Sequence, residues 1–248
     1  MLELPACCPA SSPGFFSCAK GNVMVKAIIF DIDNTLYSYD ASHPAGMEQV
    51  LSYGERELGL QAAQLQALIN KYQKELTAEL GTSNAAIHNR ALRYQRICEE
   101  LHLPLSHAAR MNRLYWDGLI GASTTEPGAV EAIRSLHEKG YTIGVGTDMT
   151  LDFQLEKLEH LGLMACIDFV VSSEEAGAEK PDPKLFELCV RKAGTSPEEC
   201  LFVADSLKKD VLGARAAGLK ALWYKGDPAQ NVPVLAAFDR LEELAPQL

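Results

Sequence analysis

Ala27-Ile28-Ile29-Phe30-Asp31-Ile32-Asp33-Asn34-Thr35 is the stretch on which the reading of this chain turns. Four apolar residues bounded by Lys26 and Asp31 have the pattern of a strand buried on both faces. Two aspartates one residue apart follow at once, so this strand delivers two carboxylates to its carboxyl end. Similar apolar runs recur at 141–146, 169–172, 201–204 and 221–224. Between them lie amphipathic stretches at 129–139, 151–161, 182–193 and 208–217, each followed by a glycine, the expected stop beyond a helix. Strands alternating with helices imply right-handed βαβ units. The fold class is therefore α/β, with a doubly wound, mostly parallel sheet.

One segment breaks the alternation. Leu65, Leu68, Ile69, Tyr72, Leu76 and Leu80 repeat at helical spacing, as do Ile87, Ala91, Tyr94, Cys98 and Leu101. Further helical stretches at 45–58 and 105–119 flank these, with no strand-like run between. The expected organisation is an α/β core from 24–38 and 122–248, with a four-helix insertion at 39–121.

The remaining composition limits the function classes. A formal net charge of -10 argues against nucleic-acid binding, which is mainly phosphate neutralisation by Lys and Arg. It leaves room for a small phosphorylated partner, whose charge one metal ion and one lysine can meet. No segment has the unbroken apolar length needed to span a membrane. The seven cysteines include no pair with zinc or redox spacing, which suits free thiols in a reducing cytoplasm. Residues 1–23 hold Pro5, Pro9 and Pro13 without apolar periodicity, and they lack the basic start of a signal peptide. They are expected to form a poorly ordered extension, with translation beginning at Met24.

In open α/β sheets, ligands bind beyond the carboxyl ends of the strands. After the first strand come Asp31 and Asp33; after the second, Thr147 and Asp148; past the third, Lys180-Pro181-Asp182-Pro183. The fourth ends in Ala204-Asp205-Ser206, with Asp210 beyond it. Carboxylates this close do not all stay ionised without a cation. A hard divalent ion with oxygen ligands resolves the conflict, and magnesium is the natural choice. Lys180 and Thr147 then offer a positive charge and a hydroxyl to phosphoryl oxygens, so the set fits phosphoryl transfer.

These motifs, in this order, resemble the haloacid dehalogenase superfamily, in the branch with a helical cap inserted after the first motif. The resemblance runs from about Lys26 to the last strand. It implies a Rossmann-like core and a Mg2+-dependent hydrolase acting on a small phosphomonoester through an aspartyl-phosphate. Asp31 would be the nucleophile, and Asp33 would serve as general acid and then as base. Asp31, Asp205 and the backbone carbonyl of Asp33 would hold the metal, with Asp210 binding it directly or through water. Thr147, Asp148, Lys180 and amides around Asn34 would contact the phosphoryl group.

Two positions depart from the family pattern. Ala204 stands where glycine is usual, which is costly only at positive φ. Asp148 stands where asparagine is commoner and would add negative charge near the phosphate. The presence of Asp33 argues against carbon–halogen chemistry, whereas a phosphomutase with the same motifs, or a non-catalytic binding module, remains an alternative. A cap moving about Ser38 and Ala122 would close over the site. Tyr37, Tyr39, His43, Arg90, Arg93 and Tyr94 are the candidate substrate contacts in it. The substrates that the family allows include nucleoside monophosphates, phosphoglycolate and sugar phosphates. The tract from Phe30 to Tyr37 is similar to that of pyrimidine nucleotidases.

Overall fold

In the computed structural model, which describes residues 23–247, the strand β1 (Ala27–Phe30) lies at the centre of a six-stranded sheet. Its neighbours are β2 (Thr142–Thr147) and β4 (Cys200–Ala204). Beyond them lie β3 (Phe169–Ser172) on one side, and β5 (Lys220–Tyr224) and β6 (Val234–Leu235) on the other. The order is β3-β2-β1-β4-β5-β6 and every pairing is parallel. This is the doubly wound arrangement, whose strand order reverses between β1 and β4. The short strand β6 has no counterpart in the sequence reading, because two paired residues leave no periodic signal. The extension expected at 1–23, with Cys7, Cys8 and Cys18, lies outside the described residues except for Val23.

Burial on both faces explains the uninterrupted apolar strands. Ile28 and Phe30 face one core, shared with α5 (Ala129–Glu138) and α6 (Leu151–His160) through Ile133, Leu136 and Leu158. Ala27 and Ile29 face the other, against Leu185, Phe186 and Cys189 of α8 (Pro183–Ala193). The glycines expected to stop helices, Gly140, Gly162, Gly194 and Gly218, all have φ between 67° and 89°. A short helix, α7 (Ser173–Ala176), intervenes between β3 and the lysine motif.

The insertion consists of α1 (Tyr39–Glu57), α2 (Ala62–Leu80), α3 (Arg90–Glu100) and α4 (Ser106–Ala122). The sequence reading begins the first of these at Ala45, after Pro44, but the helix begins at Tyr39. The Ser38 hydroxyl caps the Ala41 N–H at 3.2 Å, and the Asn34 side chain accepts from the Asp40 N–H at 3.2 Å. With the start secured, Pro44 removes one helical bond without stopping the helix. The stretch 208–217 also needs correction. It opens with a wide π-type turn, Leu207–Val211, before the short α9 (Leu212–Ala216). The Asp210 and Val211 N–H groups both donate to the Ser206 carbonyl at 3.1 Å. Among the described residues no helix is long and apolar enough to cross a membrane.

The two chain crossings into and out of the insertion run side by side. The Glu126 N–H donates to the Leu36 carbonyl at 2.8 Å, and Tyr37 bridges to Thr125. Within the insertion α1 and α4 pack at close range because Gly46 and Gly118 lie between them. A Cβ on Gly118 would come within 2.7 Å of the Ala45 carbonyl oxygen and 2.9 Å of the Gln49 Cγ. Gly118→Val is therefore expected to lower unfolding stability by about 1–3 kcal/mol through overpacking. An unchanged urea midpoint would show that the helices separate without cost.

Candidate active site

The chemistry-bearing residues converge where the strand order reverses. Asp31 leaves β1 with its N–H bonded to the Val203 carbonyl of β4 at 3.1 Å. Its carboxylate accepts from the Lys180 ammonium at 2.7 Å, and the same ammonium lies 2.5 Å from Asp210. Lys180 also donates to the Gly146 carbonyl of β2 at 3.3 Å. All three charged side chains are buried. Thr35 links the loops after β1 and β4: its hydroxyl donates to the Asp205 carboxylate at 3.3 Å and accepts from the Asp205 N–H at 3.1 Å. The Trp223 indole fixes the same loop by donating to the Asp205 carbonyl at 2.6 Å.

Asp31, Asp205 and Asp210 each offer an oxygen, all within 4.8 Å of one another. Burial is the main reason that all three carboxyls are held above their ordinary values, with repulsion from Asp210 adding to it at Asp31 and Asp205 and from Asp148 at Asp210; Asp31 is pushed up to about 8. One lysine does not neutralise three carboxylates. An oxygen-rich, over-negative cluster of this kind fits a hard divalent cation.

Asp33 points elsewhere. Its carboxylate accepts from Lys157 at 2.6 Å, from Gln154 at 3.1 Å and from the Tyr37 hydroxyl. Although burial works the other way, Lys157 and these donors hold the carboxyl below its ordinary value. Lys157 is itself fully buried, flanked by the rings of Tyr37 and Trp116 at 5.4 Å. Gln154 also donates to the Thr147 hydroxyl at 2.8 Å, so one amide orients residues from two strand ends. The sequence reading passes over Gln154 and Lys157. The available signal was their place beside Leu158 on the buried face of α6, where a charge requires a partner.

The two departures become intelligible in place. Ala204 is fully buried at the end of β4 and lies outside the positive-φ residues, so the absent glycine costs nothing there. Asp148 accepts from the Lys180 N–H at 2.9 Å and pairs with Lys209 at 3.1 Å. Its extra charge is met and it anchors the lysine loop. Asn34 has φ 60° and turns the chain sharply after Asp33, while its side chain bonds Asp40 at 3.4 Å. That side chain is engaged with the start of α1, which leaves only backbone amides near Asn34 for the role expected of it.

A cavity of about 420 Å³ joins this rim to the helical insertion. Asp31, Asp33, Thr147, Asp148, Lys180, Asp205 and Asp210 line one side; Tyr39, Gln73, His88, Arg90 and Arg93 line the other. Of the candidate substrate contacts, Tyr39, Arg90 and Arg93 reach the cavity, whereas Tyr37 binds Asp33 and His43 bonds Tyr115 at 2.6 Å. The insertion is tied to the core at the cavity's edge by His88 and Glu179, 3.0 Å apart, and farther out by Arg113 and Glu156 at 2.9 Å.

Comparison with known proteins agrees with this architecture. The family model described as haloacid dehalogenase-like hydrolase matches residues 25–218. The chain is 33% identical to a ribulose-1,5-bisphosphate 5-phosphatase from Halopiger xanaduensis, over 88% of this chain and 91% of that protein. It is 32% identical to a glyceraldehyde 3-phosphate phosphatase from Methanopyrus kandleri, over 79% and 82% of the respective chains. Among solved structures, a 2-haloacid dehalogenase from Pseudomonas syringae superposes with a TM-score of 0.76 at 20% identity, covering 90% of this chain and 99% of that one. At that identity the likeness speaks for the fold alone.

The Lys157–Asp33 pair gives a direct stability test. Lys157→Met keeps the stem and removes the charge, which leaves Asp33 uncompensated. The expected loss is about 3 kcal/mol at neutral pH, the lower end for a broken buried pair because Asp33 is partly exposed. A carboxyl lowered on folding contributes stability above its unfolded value and loses it as pH falls. The difference between wild type and variant should therefore shrink below about pH 4, read by urea unfolding. A difference independent of pH would mean that Lys157 matters through packing alone.

Proposed function

We propose that this chain, which belongs to the haloacid dehalogenase-like hydrolase family, is a magnesium-dependent phosphatase that works through an aspartyl-phosphate on Asp31. That it is a phosphoric monoester hydrolase follows from the family together with its phosphatase relatives. The observation that best supports the finer reading is the Asp31–Lys180–Asp210 arrangement at the cavity floor, with Asp205 beside it. One oxygen of Asp31 is engaged by Lys180 and the other is left to attack.

In this reading Asp31 attacks the phosphorus in line. The bond to the ester oxygen breaks, and Asp33 delivers a proton to the leaving group. Water then attacks the aspartyl-phosphate and gives its proton to Asp33, so phosphate leaves and the Asp31 carboxylate is restored. Lys157, Gln154 and Tyr37 favour the ionised form of Asp33 that the second half needs. The dianionic phosphoryl group of bound substrate raises its proton affinity for the first half. Lys180 and Thr147 orient the phosphoryl oxygens. A magnesium ion held by Asp31, Asp205, Asp210 and the Asp33 carbonyl would neutralise phosphoryl charge and let the three carboxylates ionise together.

Residues 39–121 act as the cap, and 24–38 with 122–248 as the core. Opening about Ser38 and Ala122 admits substrate, and closure excludes water. The relatives named for sugar phosphates make these the leading substrate class, with nucleoside monophosphates beside them because of the Phe30–Tyr37 tract.

Phosphate release from a panel of sugar phosphates, nucleotides and phosphoglycolate is expected only with magnesium, and Asp31→Asn should lose at least a thousandfold. Release that survives in the variant would remove Asp31 from the chemistry. A second expectation concerns metal and pH. A carboxyl raised on folding stabilises below its unfolded value, 3.8 for Asp31, and loses that contribution as pH rises through about 8. The metal-free protein thus loses the cluster's contribution across that window, and magnesium should raise the melting temperature more at pH 8 than at pH 5.5. His43, held down by burial and the nearby arginines, runs the other way, but it lies outside the cluster and cancels when each pH is compared with and without metal. Equal gains at both pH values would argue against a cation among these carboxylates.

A further inference from the structure

Two arginines of α3 present an unexplained feature in the wall of the cavity facing Asp31. Arg90 and Arg93 are only 9% and 7% exposed, yet neither forms an ion pair with a carboxylate among the described residues. Arg90 is partly accounted for. One Nη donates to the Tyr39 hydroxyl at 2.7 Å, and its guanidinium lies 3.7 Å from the centre of the Tyr115 ring. Its Nε has no acceptor among the described residues. Arg93 makes no hydrogen bond among the described residues, and its Nε is buried without an acceptor. Burial and the charge of Arg90 press Arg93 below the ordinary guanidinium value, to about 10, which leaves it charged at neutral pH.

Packing alone does not account for this pair. A buried charge without a partner is costly, and two like charges side by side are more so. The neighbouring groups are Tyr39, Tyr94, Tyr115 and His43, and His43 is itself pressed toward its neutral form. Both arginines line the same cavity as Asp31, Thr147 and Lys180. The geometry points to a second anion subsite: Arg93 and Arg90 receive another negatively charged group, phosphate or carboxylate, of the ester whose phosphoryl group sits at Asp31. Guanidinium groups suit both, because their fork matches either oxyanion. The substrate class is thereby a small phosphomonoester with a second anionic group at its far end. This inference rests on the phosphatase reading.

Two matched pairs of compounds test it: ribulose 1,5-bisphosphate against ribulose 5-phosphate, and phosphoglycolate against 2-hydroxyethyl phosphate. The wild type should favour at least one doubly anionic member by a hundredfold or more in kcat/KM, and the favoured pair identifies the second anion. Arg93→Met should reduce that ratio to within about threefold, whereas Arg93→Lys, which keeps the charge, should retain at least tenfold. Thermal unfolding of each variant shows that it is folded. A ratio near one in the wild type, or the same ratio in Arg93→Met, overturns the subsite.

If the wild type releases phosphate from none of the four, the wider panel of phosphomonoesters decides the phosphatase reading, and calorimetry on Asp31→Asn decides the subsite separately. Tenfold tighter binding of a doubly anionic member, lost when Arg93→Met is added, supports the subsite. Equal affinities within both pairs overturn it.

Discussion

Because the Lys180 ammonium is buried between Asp31 and Asp210, at 2.7 and 2.5 Å, the ends of β1 and β4 are joined through a residue that belongs to neither. Its bond to the Gly146 carbonyl adds β2, and Asp148 holds the lysine's own N–H. A charge at this depth is tolerable only with partners at short range, so the lysine loop and two strand ends must take up one relative position. The same constraint leaves the cluster over-negative, since Asp205 joins the other two carboxylates without a lysine of its own. Organisation and an unmet need for positive charge arise from one arrangement.

A second arrangement handles Asp33. Only Ile32 separates it from Asp31, yet its carboxylate is held by Lys157, Gln154 and Tyr37 and is kept ionised, whereas burial drives Asp31 toward its protonated form. Two carboxyls one residue apart are thus biased toward opposite protonation states by what surrounds each of them. Gln154 connects the two arrangements by reaching Thr147 as well.

The helical insertion contributes the opposite sign of charge. Where the core side of the cavity carries carboxylates, the insertion brings Arg90 and Arg93 from α3. The small residues Gly46 and Gly118 let α1 approach α4 closely. Asn34 serves both units, since it turns the chain after Asp33 and then helps to start α1. The loop that carries the acidic pair and the entry to the insertion are therefore one continuous structure.

Much of this is legible along the chain, because it depends on local order. Four apolar residues before Asp31, glycines after helices and a helix-only stretch between two strand patterns report buried strands, helix ends and an insertion without any knowledge of neighbours. The order of Asp31, Thr147, Lys180 and Asp205 likewise reports a shared rim, since parallel strands place their carboxyl ends together. What the chain does not report is how charges pair across distance. That Asp148 is balanced by Lys209, that Lys157 is buried against Asp33 and that Arg93 lacks a carboxylate partner among the described residues depend on residues 61 and 124 positions apart, or on what is missing from the space beside a side chain. The physical reason is that sequence spacing sets which face of an element a residue occupies, whereas the energy of a charge depends on what fills the space beside it. Only the packed structure decides that.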